Sequence, residues 1–252
     1  MSDVTYQLNP PKVSLYAEKL MFKLLFEHNL FSKIFTESGW KDDDIAFSLG
    51  LPEELENLEG SKTIIRELFT ARAKQIARRK VSVPKNLTQA YQNLARLSEF
   101  VGFNETEYEL LRFALHLRND KALSELGEYV QRVNLNSVIS ILASLLKLER
   151  KAVKSALSKA GKLFSYGLID TYHPDSISGY LAWGDTLDLD EFIVHPLNEE
   201  MLLRNCTTIT EVSTLNFSHF EHIPQRDMLF SYLSQAIRQH KKGVNILFYG
   251  PP

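Results

Sequence analysis

The 252 residues contain one cysteine, Cys206. That excludes an internal disulfide framework and leaves no thiolate cluster for zinc or an iron–sulfur centre. Glycine (11) and proline (9) are scarce, so few loops and many helices are expected. The chain has no run of 18 apolar residues, and no membrane-spanning helix is expected. Its first residues, MSDVTYQLNPPK, lack the basic-then-apolar order of a secretory signal. A cytoplasmic protein without membrane attachment is therefore expected. A net charge of −2 gives no general case for coating nucleic acid. What is present excludes disorder: 15 Phe, 10 Tyr and 2 Trp, with 44% hydrophobic residues. The length suits one large domain or two small ones with a real core.

The charges are segregated. Residues 41–60 hold seven acids and one base, and 61–85 hold eight bases and one acid. Residues 147–162 hold six bases and one acid, whereas 170–200 hold eight acids and neither lysine nor arginine. Solvated faces and internal pairing explain such blocks; an anion-binding surface or contacts in an oligomer would also use them.

Hydrophobic periodicity predicts a succession of helices. Pro10 and Pro11 precede one over 12–36, apolar on much of its surface. A turn at 39–44 and a short helix after Pro52 follow. Residues 62–80 form an amphipathic pattern through Ile64, Ile65, Leu68, Phe69, Ala73, Ile76 and Ala77. Its C-terminal half carries Arg72, Arg78, Arg79 and Lys80, where cations oppose the negative end of the helix dipole. Asn86 or Thr88 opens the next helix, with Leu87, Tyr91, Leu94, Ala95, Leu97 and Phe100 expected to pack. Asn104 and Glu107 have the spacing of a capping box before a helix over 105–117. A shorter helix is expected over 121–130.

Between Asn136 and Trp183 the pattern reads as two helices around a tight turn at Lys147-Leu148, then a strand-like run over 163–169, a polar loop over 170–178, and a second strand at 180–183. That order predicts a winged-helix-like α+β module. Its second helix offers Lys151, Lys154 and Lys159, which could meet phosphates. Asp170 and Asp175 in the expected wing count against DNA, so a structural or protein-binding module is the favoured reading. His195-Pro196 is expected to open a short helix to about residue 204, followed by a linker or peripheral strand.

A helix is expected over 225–240, with Met228, Leu229, Tyr232, Leu233, Ala236 and Ile237 on its apolar face. The nearly continuous apolar run 244–249 then has the character of a buried central strand in an α/β sheet. Gly250, Pro251 and Pro252 follow at once. This junction, Gly243-Val244-Asn245-Ile246-Leu247-Phe248-Tyr249-Gly250-Pro251-Pro252, resembles the lead-in and first three residues of Walker A in the AAA+ ATPase family. Phe217-Ser218-His219-Phe220 and the following helix resemble that family's entry segment, and the arrangement is similar to bacterial SpoVK-class AAA+ proteins with a long helical N-terminal region. The resemblance covers only residues 217–252.

Carried over residue by residue, Gly250 matches the first Walker A glycine, and Pro251 and Pro252 the next two positions. The resemblance implies that the second glycine, the phosphate-binding lysine and the magnesium-binding hydroxyl lie after residue 252. Without them the phosphate cradle cannot close, so residues 1–252 alone are expected to hold no cofactor and to be inactive. ATP and magnesium are implied for the intact protein, as are a ring of identical subunits and a protein substrate or adaptor.

The expected architecture is therefore mainly α-helical: a helical domain over 1–133, the winged-helix-like module over 134–204, a linker over 205–224, and the first strand of a truncated α/β AAA+ domain over 225–252. The expected function is partner recognition for a remodelling ATPase. The alternatives are a DNA-associated ATPase whose winged helix contacts duplex through Lys151, Lys154 and Lys159 with Arg78, Arg79 and Lys80, and a structural oligomerisation arm. Other clusters are weaker: His219 with His222, Asp42-Asp43-Asp44, the acids Asp185, Asp188 and Asp190, and Ser165 with His173 and Asp175 lack the further ligands or supporting groups that metal or nucleophilic chemistry needs.

Overall fold

In the computed structural model, helices carry most of the chain, and the only sheet among the described residues is two small antiparallel ladders. The described residues are 6–130, 134–172, 175–198, 219 and 221–241. They fall into two units, Met1–Thr207 and Thr208–Pro252.

In the first unit, α1 (Leu15–Glu27) starts where the Ser14 side chain accepts from the Ala17 backbone N–H. The helix predicted over 12–36 breaks after Glu27, because Asn29 adopts a left-handed φ of 57°. A second short helix, α2 (Phe31–Ile34), runs into β1 (Phe35–Thr36), which pairs with β2 (Gly39–Trp40). An aromatic chain makes this reversal favourable. Phe22 and Phe35 each meet Phe69 edge-on with centroids 5.4 Å apart, and Phe26, Phe31 and Phe35 continue the contact. Asp42 caps α3 (Asp43–Ser48), and Pro52 precedes a 3₁₀ turn over Glu53–Leu55.

α4 (Ser61–Ala77) buries Ile65, Phe69 and Ile76. A 3₁₀ turn at Lys85–Leu87, with Leu87 buried, leads to α5 (Thr88–Val101), whose inner face is Ala90, Asn93, Leu94 and Leu97; Ala95 and Phe100, expected to pack, are exposed. α6 (Glu105–Asn119) is the central helix. It packs against α5, α7 (Lys121–Glu128), α9 (Arg150–Ala156) and α10 (Lys162–Ser165), and is buried on most of its circumference. Its apolar side chains each contribute roughly 1.5–3 kcal/mol when fully buried. The Asn104–Glu107 capping box is present in both directions.

α8 (Leu135–Leu146) ends at Lys147, which is left-handed at φ 57°, and α9 follows after the tight turn. The strand predicted over 163–169 is instead the helical turn α10. Gly161 and Gly167 bracket it, and Gly167 has φ 62°. Strand character is confined to β3 (Ile169–Asp170), which pairs antiparallel with β4 (Ala182–Trp183). The segment between them holds α11 (Ile177–Tyr180), capped by Ser176. α12 (Leu189–Val194) packs on α5 and ends before His195; residues 195–198 are not helical, contrary to the helix predicted to open there. One apolar core extends from Tyr16 to Leu197, including residues on both sides of the expected boundary at 133–134.

In the second unit, α13 (Arg226–Arg238) forms as expected. Ala236 is buried, whereas Met228, Phe230, Tyr232, Leu233 and Ile237 are exposed. The strand expected over 244–249, and Gly250, Pro251 and Pro252, lie outside the described residues.

Candidate functional site: a lysine-ringed groove

Four lysines in the first unit direct their ammonium groups at main-chain carbonyls near helix C-termini. Helices leave those oxygens without intrahelical donors, and the dipole makes them negative. Lys19 Nζ donates to Ala77 O (3.1 Å) and Arg79 O (2.6 Å) at the end of α4. Lys23 Nζ donates to Leu145 O (2.6 Å) near the end of α8. Lys33 reaches Tyr129 O after α7 (3.3 Å), and Lys162 reaches Val101 O and Gly102 O at the end of α5.

Two of these lysines border an open groove of about 660 Å³ between α1, the end of α4 and the end of α8. Phe22, Phe26, Ile76, Ala77 and Leu145 give it an apolar floor, while Lys19, Lys23, Arg112 and Lys147 bring cations to it. Glu27 and Glu109 are the acids along it. Glu109 is occupied by an ion pair with Arg112 on the same helix, and burial raises its carboxyl pKa. Burial lowers the pKa of the Lys23 ammonium; Glu27 opposes that shift, and the charges of Lys147 and Lys19 add to it. Lys19 and Lys147 therefore each repel the Lys23 ammonium.

A polar cluster lies under one end. The Arg112 guanidinium sits 4.7 Å from the Tyr16 ring centroid, a cation–π contact. It acts on the Tyr16 hydroxyl electrostatically, but no hydrogen bond of ordinary geometry joins them, and Tyr16 Oη and Arg112 Nε are both buried without a hydrogen-bond partner. Burial raises the Tyr16 phenol pKa. His116 packs its ring 4.3 Å from that of Tyr16, and its Nε2 lies 2.8 Å from the Tyr91 hydroxyl, one donating to the other according to which ring nitrogen carries the proton. Burial, then the Arg112 charge, push the His116 pKa down to about 4. Tyr91 is pushed up to about 12, chiefly by burial. His116 is thus neutral at pH 7, and neither tyrosine is a ready acid or base.

The cations singled out by sequence are placed differently. Lys151, Lys154 and Lys159 are exposed on and just after α9, whose Val153 and Ala156 are buried. Arg78, Arg79 and Lys80 are exposed just past α4. None of these six lines the groove, although the residues following the second set, Val81 to Val83, do. Arg72 is not a free dipole partner either, since it pairs with buried Glu18. The groove's own cations come from positions 19, 23, 112 and 147, far apart in sequence. The readable signal was a pair of lysines one turn apart, Lys19 and Lys23, on a helix whose other charged residues are Glu18 and Glu27.

The acidic clusters have structural partners. Asp42 caps α3, Asp43 accepts from Trp40 Nε1 (2.9 Å), and Asp44 pairs with Lys121. Asp188 caps α12, and Asp185 accepts from the Tyr172 hydroxyl (3.1 Å). These last two border a second groove of about 620 Å³ that also carries Glu128, Glu191 and Arg118. Among the described residues, no three His, Cys, Asp or Glu side chains come together as a metal site, and no helix is long and apolar enough to cross a membrane. No protein-family description, curated protein or solved structure matches this chain.

Proposed function

We propose that this chain is the N-terminal, non-catalytic region of an AAA+ ATPase, serving to recognise a protein substrate or adaptor for a motor that follows it. The observation that carries the reading is the order helix, apolar strand pattern, Gly250-Pro251-Pro252, which matches the entry to a phosphate loop. The exposed apolar side chains of α13 support it. Met228, Leu233 and Ile237 are 40–74% exposed, as befits a helix built to pack beside an ATPase core. In the intact protein, ATP and magnesium would occupy the completed loop, and identical subunits would assemble around it. Reading the gene past the codon for Pro252 tests this directly. A Gly-Thr-Gly-Lys-Thr-like continuation supports it, and a stop codon overturns it. Residues 1–252 alone should bind no ATP in a calorimetric titration; micromolar affinity would sink the claim that the site is incomplete.

A second reading rests on the exposed lysines of α9. The α8–turn–α9 pair followed by the β3–β4 ladder would act as a winged-helix-like DNA reader, with Lys151 and Lys154 on phosphates. Asp170 in the ladder and Asp175 between its strands oppose it. Duplex binding that weakens steeply with salt would favour this reading; no binding at low salt would remove it.

A further inference from the structure

We propose that the groove between α1, α4 and α8 binds a small amphipathic organic anion, its apolar body on the Phe22, Phe26 and Ile76 floor and its acidic head among Lys19, Lys23 and Lys147. This inference is independent of the ATPase reading.

Three observations carry it. First, the volume and the lining, mostly apolar with a few converging charges, are those of a small-molecule site. Second, the cations are held in place before any ligand arrives. Lys19 uses two of its three N–H donors on carbonyls and Lys23 uses one, so both keep donors for an anion while their ammonium positions are anchored. Glu109 already pairs with Arg112, which leaves Glu27 as the acid along the groove facing three clustered lysines. Third, Lys147 occupies the left-handed position that ends α8, at φ 57°. Glycine is the residue that suits that backbone, so a lysine there costs stability locally and brings a charge to the groove. Beneath these groups Tyr16, 7% exposed, lines the groove, and its hydroxyl is buried without a hydrogen-bond partner.

The test uses the 252-residue chain and two fluorescent probes with similar aromatic bodies, the sulfonate 1-anilinonaphthalene-8-sulfonate and the neutral N-phenyl-1-naphthylamine. The expected result is one saturable sulfonate site, favoured over the neutral probe by about tenfold. Lys23→Met and Lys147→Gly should each weaken the sulfonate by about fivefold or more. Lys147→Gly should leave the fold at least as stable, so its loss of binding is not a loss of structure. Lys151→Glu, on α9, should change nothing. Decanoate and adenosine monophosphate are then added as competitors. Displacement by the first assigns an acyl body, and by the second a nucleotide. Sulfonate binding untouched by Lys23→Met and Lys147→Gly, equal affinity for the neutral probe, or displacement by neither competitor at millimolar concentration overturns the proposal.

Discussion

Arg72 grips the buried carboxylate of Glu18 with two donors, Nε at 2.7 Å from Oε1 and Nη2 at 3.2 Å from Oε2, and so joins α4 to α1. Its third nitrogen donates to Gln75 (2.9 Å). A planar guanidinium suits this fork where a lysine would not. Glu18 is 1% exposed, so removal of its partner strands a charge in the interior. Arg72→Ala should lower unfolding free energy by about 2–4 kcal/mol in urea melts. The double replacement Glu18→Leu with Arg72→Met should recover most of that loss, because apolar side chains of similar size need no solvent. A single Arg72→Ala within 0.5 kcal/mol of the parent, a change typical of surface sites, would show the pair to be dispensable.

His116 gives the fold a defined pH dependence. Its pKa falls from an unfolded value near 6.5 to about 4 in the folded protein, so between those values the unfolded chain holds a proton that the folded chain does not. Stability from the neutral ring is complete above pH 6.5 and declines as pH falls toward 4. The slope is about 1.4 kcal/mol per pH unit, totalling roughly 3 kcal/mol. His116→Phe keeps a ring against Tyr16 and removes the titration. Denaturant midpoints at pH 7 and pH 5 should converge in the variant relative to the parent. An unchanged pH dependence would mean that the acid lability comes from carboxylates.

The helices with strong 3.6-residue periodicity were legible in the sequence, and so was the local chemistry that starts them. Asn104 and Glu107 form the expected capping box, and α13 spans the expected residues to within two at each end. What escaped was set by conformations that periodicity does not register. Asn29 turns left-handed and ends α1, though the apolar pattern runs on through Phe31 and Ile34. The run Leu163 to Ile169 is apolar enough for a strand, yet its first residues form a helical turn with Leu163 buried; short apolar runs do not distinguish the two. The groove was invisible for another reason. A reader of charge sees runs, and the cations at 78–80 and at 151, 154 and 159 are exposed, whereas the groove cations are single residues brought together by packing.

Gly50 holds the N-terminal segment against the end of α3. Its φ is 84°, its carbonyl accepts from the Asn9 N–H at 2.7 Å, and a Cβ there would lie 2.2 Å from Asn9 O. Gly60 has a similar φ of 78°, but a Cβ would meet nothing within 4 Å. Comparing alanine at the two sites separates backbone strain from collision. Gly60→Ala should cost about 1 kcal/mol, the strain alone. Gly50→Ala should cost more, roughly 2–4 kcal/mol, and speed proteolysis within residues 6–12 as that segment is displaced. Equal costs would mean the segment is held by something other than this contact.

Asn93 is the buried fastener for the end of α12. Its Nδ2 donates to Phe192 O (2.8 Å) and His195 O (2.7 Å), while its Oδ1 accepts from Leu197 N (2.8 Å) and Gln89 Nε2 (3.1 Å). The amide is satisfied on both sides, and the two carbonyl partners fix which end carries the nitrogen. Asn93→Leu matches the volume but takes their partner from two carbonyls, one backbone N–H and the Gln89 amide. A loss of about 3 kcal/mol is expected, less than the sum of separate penalties because residues 192–197 can lift to reach water. Amide exchange over 192–197 should accelerate more than exchange in α6. Asn93→Asp keeps the acceptor for Leu197 but points a carboxylate at the two carbonyls. It should be at least as damaging at pH 7 and recover as acid protonates it, since the protonated form can donate to one of them. If Asn93→Leu costs under 1 kcal/mol and exchange in 192–197 is unchanged, apolar packing of Phe192 against Trp183, with centroids 5.2 Å apart, is enough to hold α12.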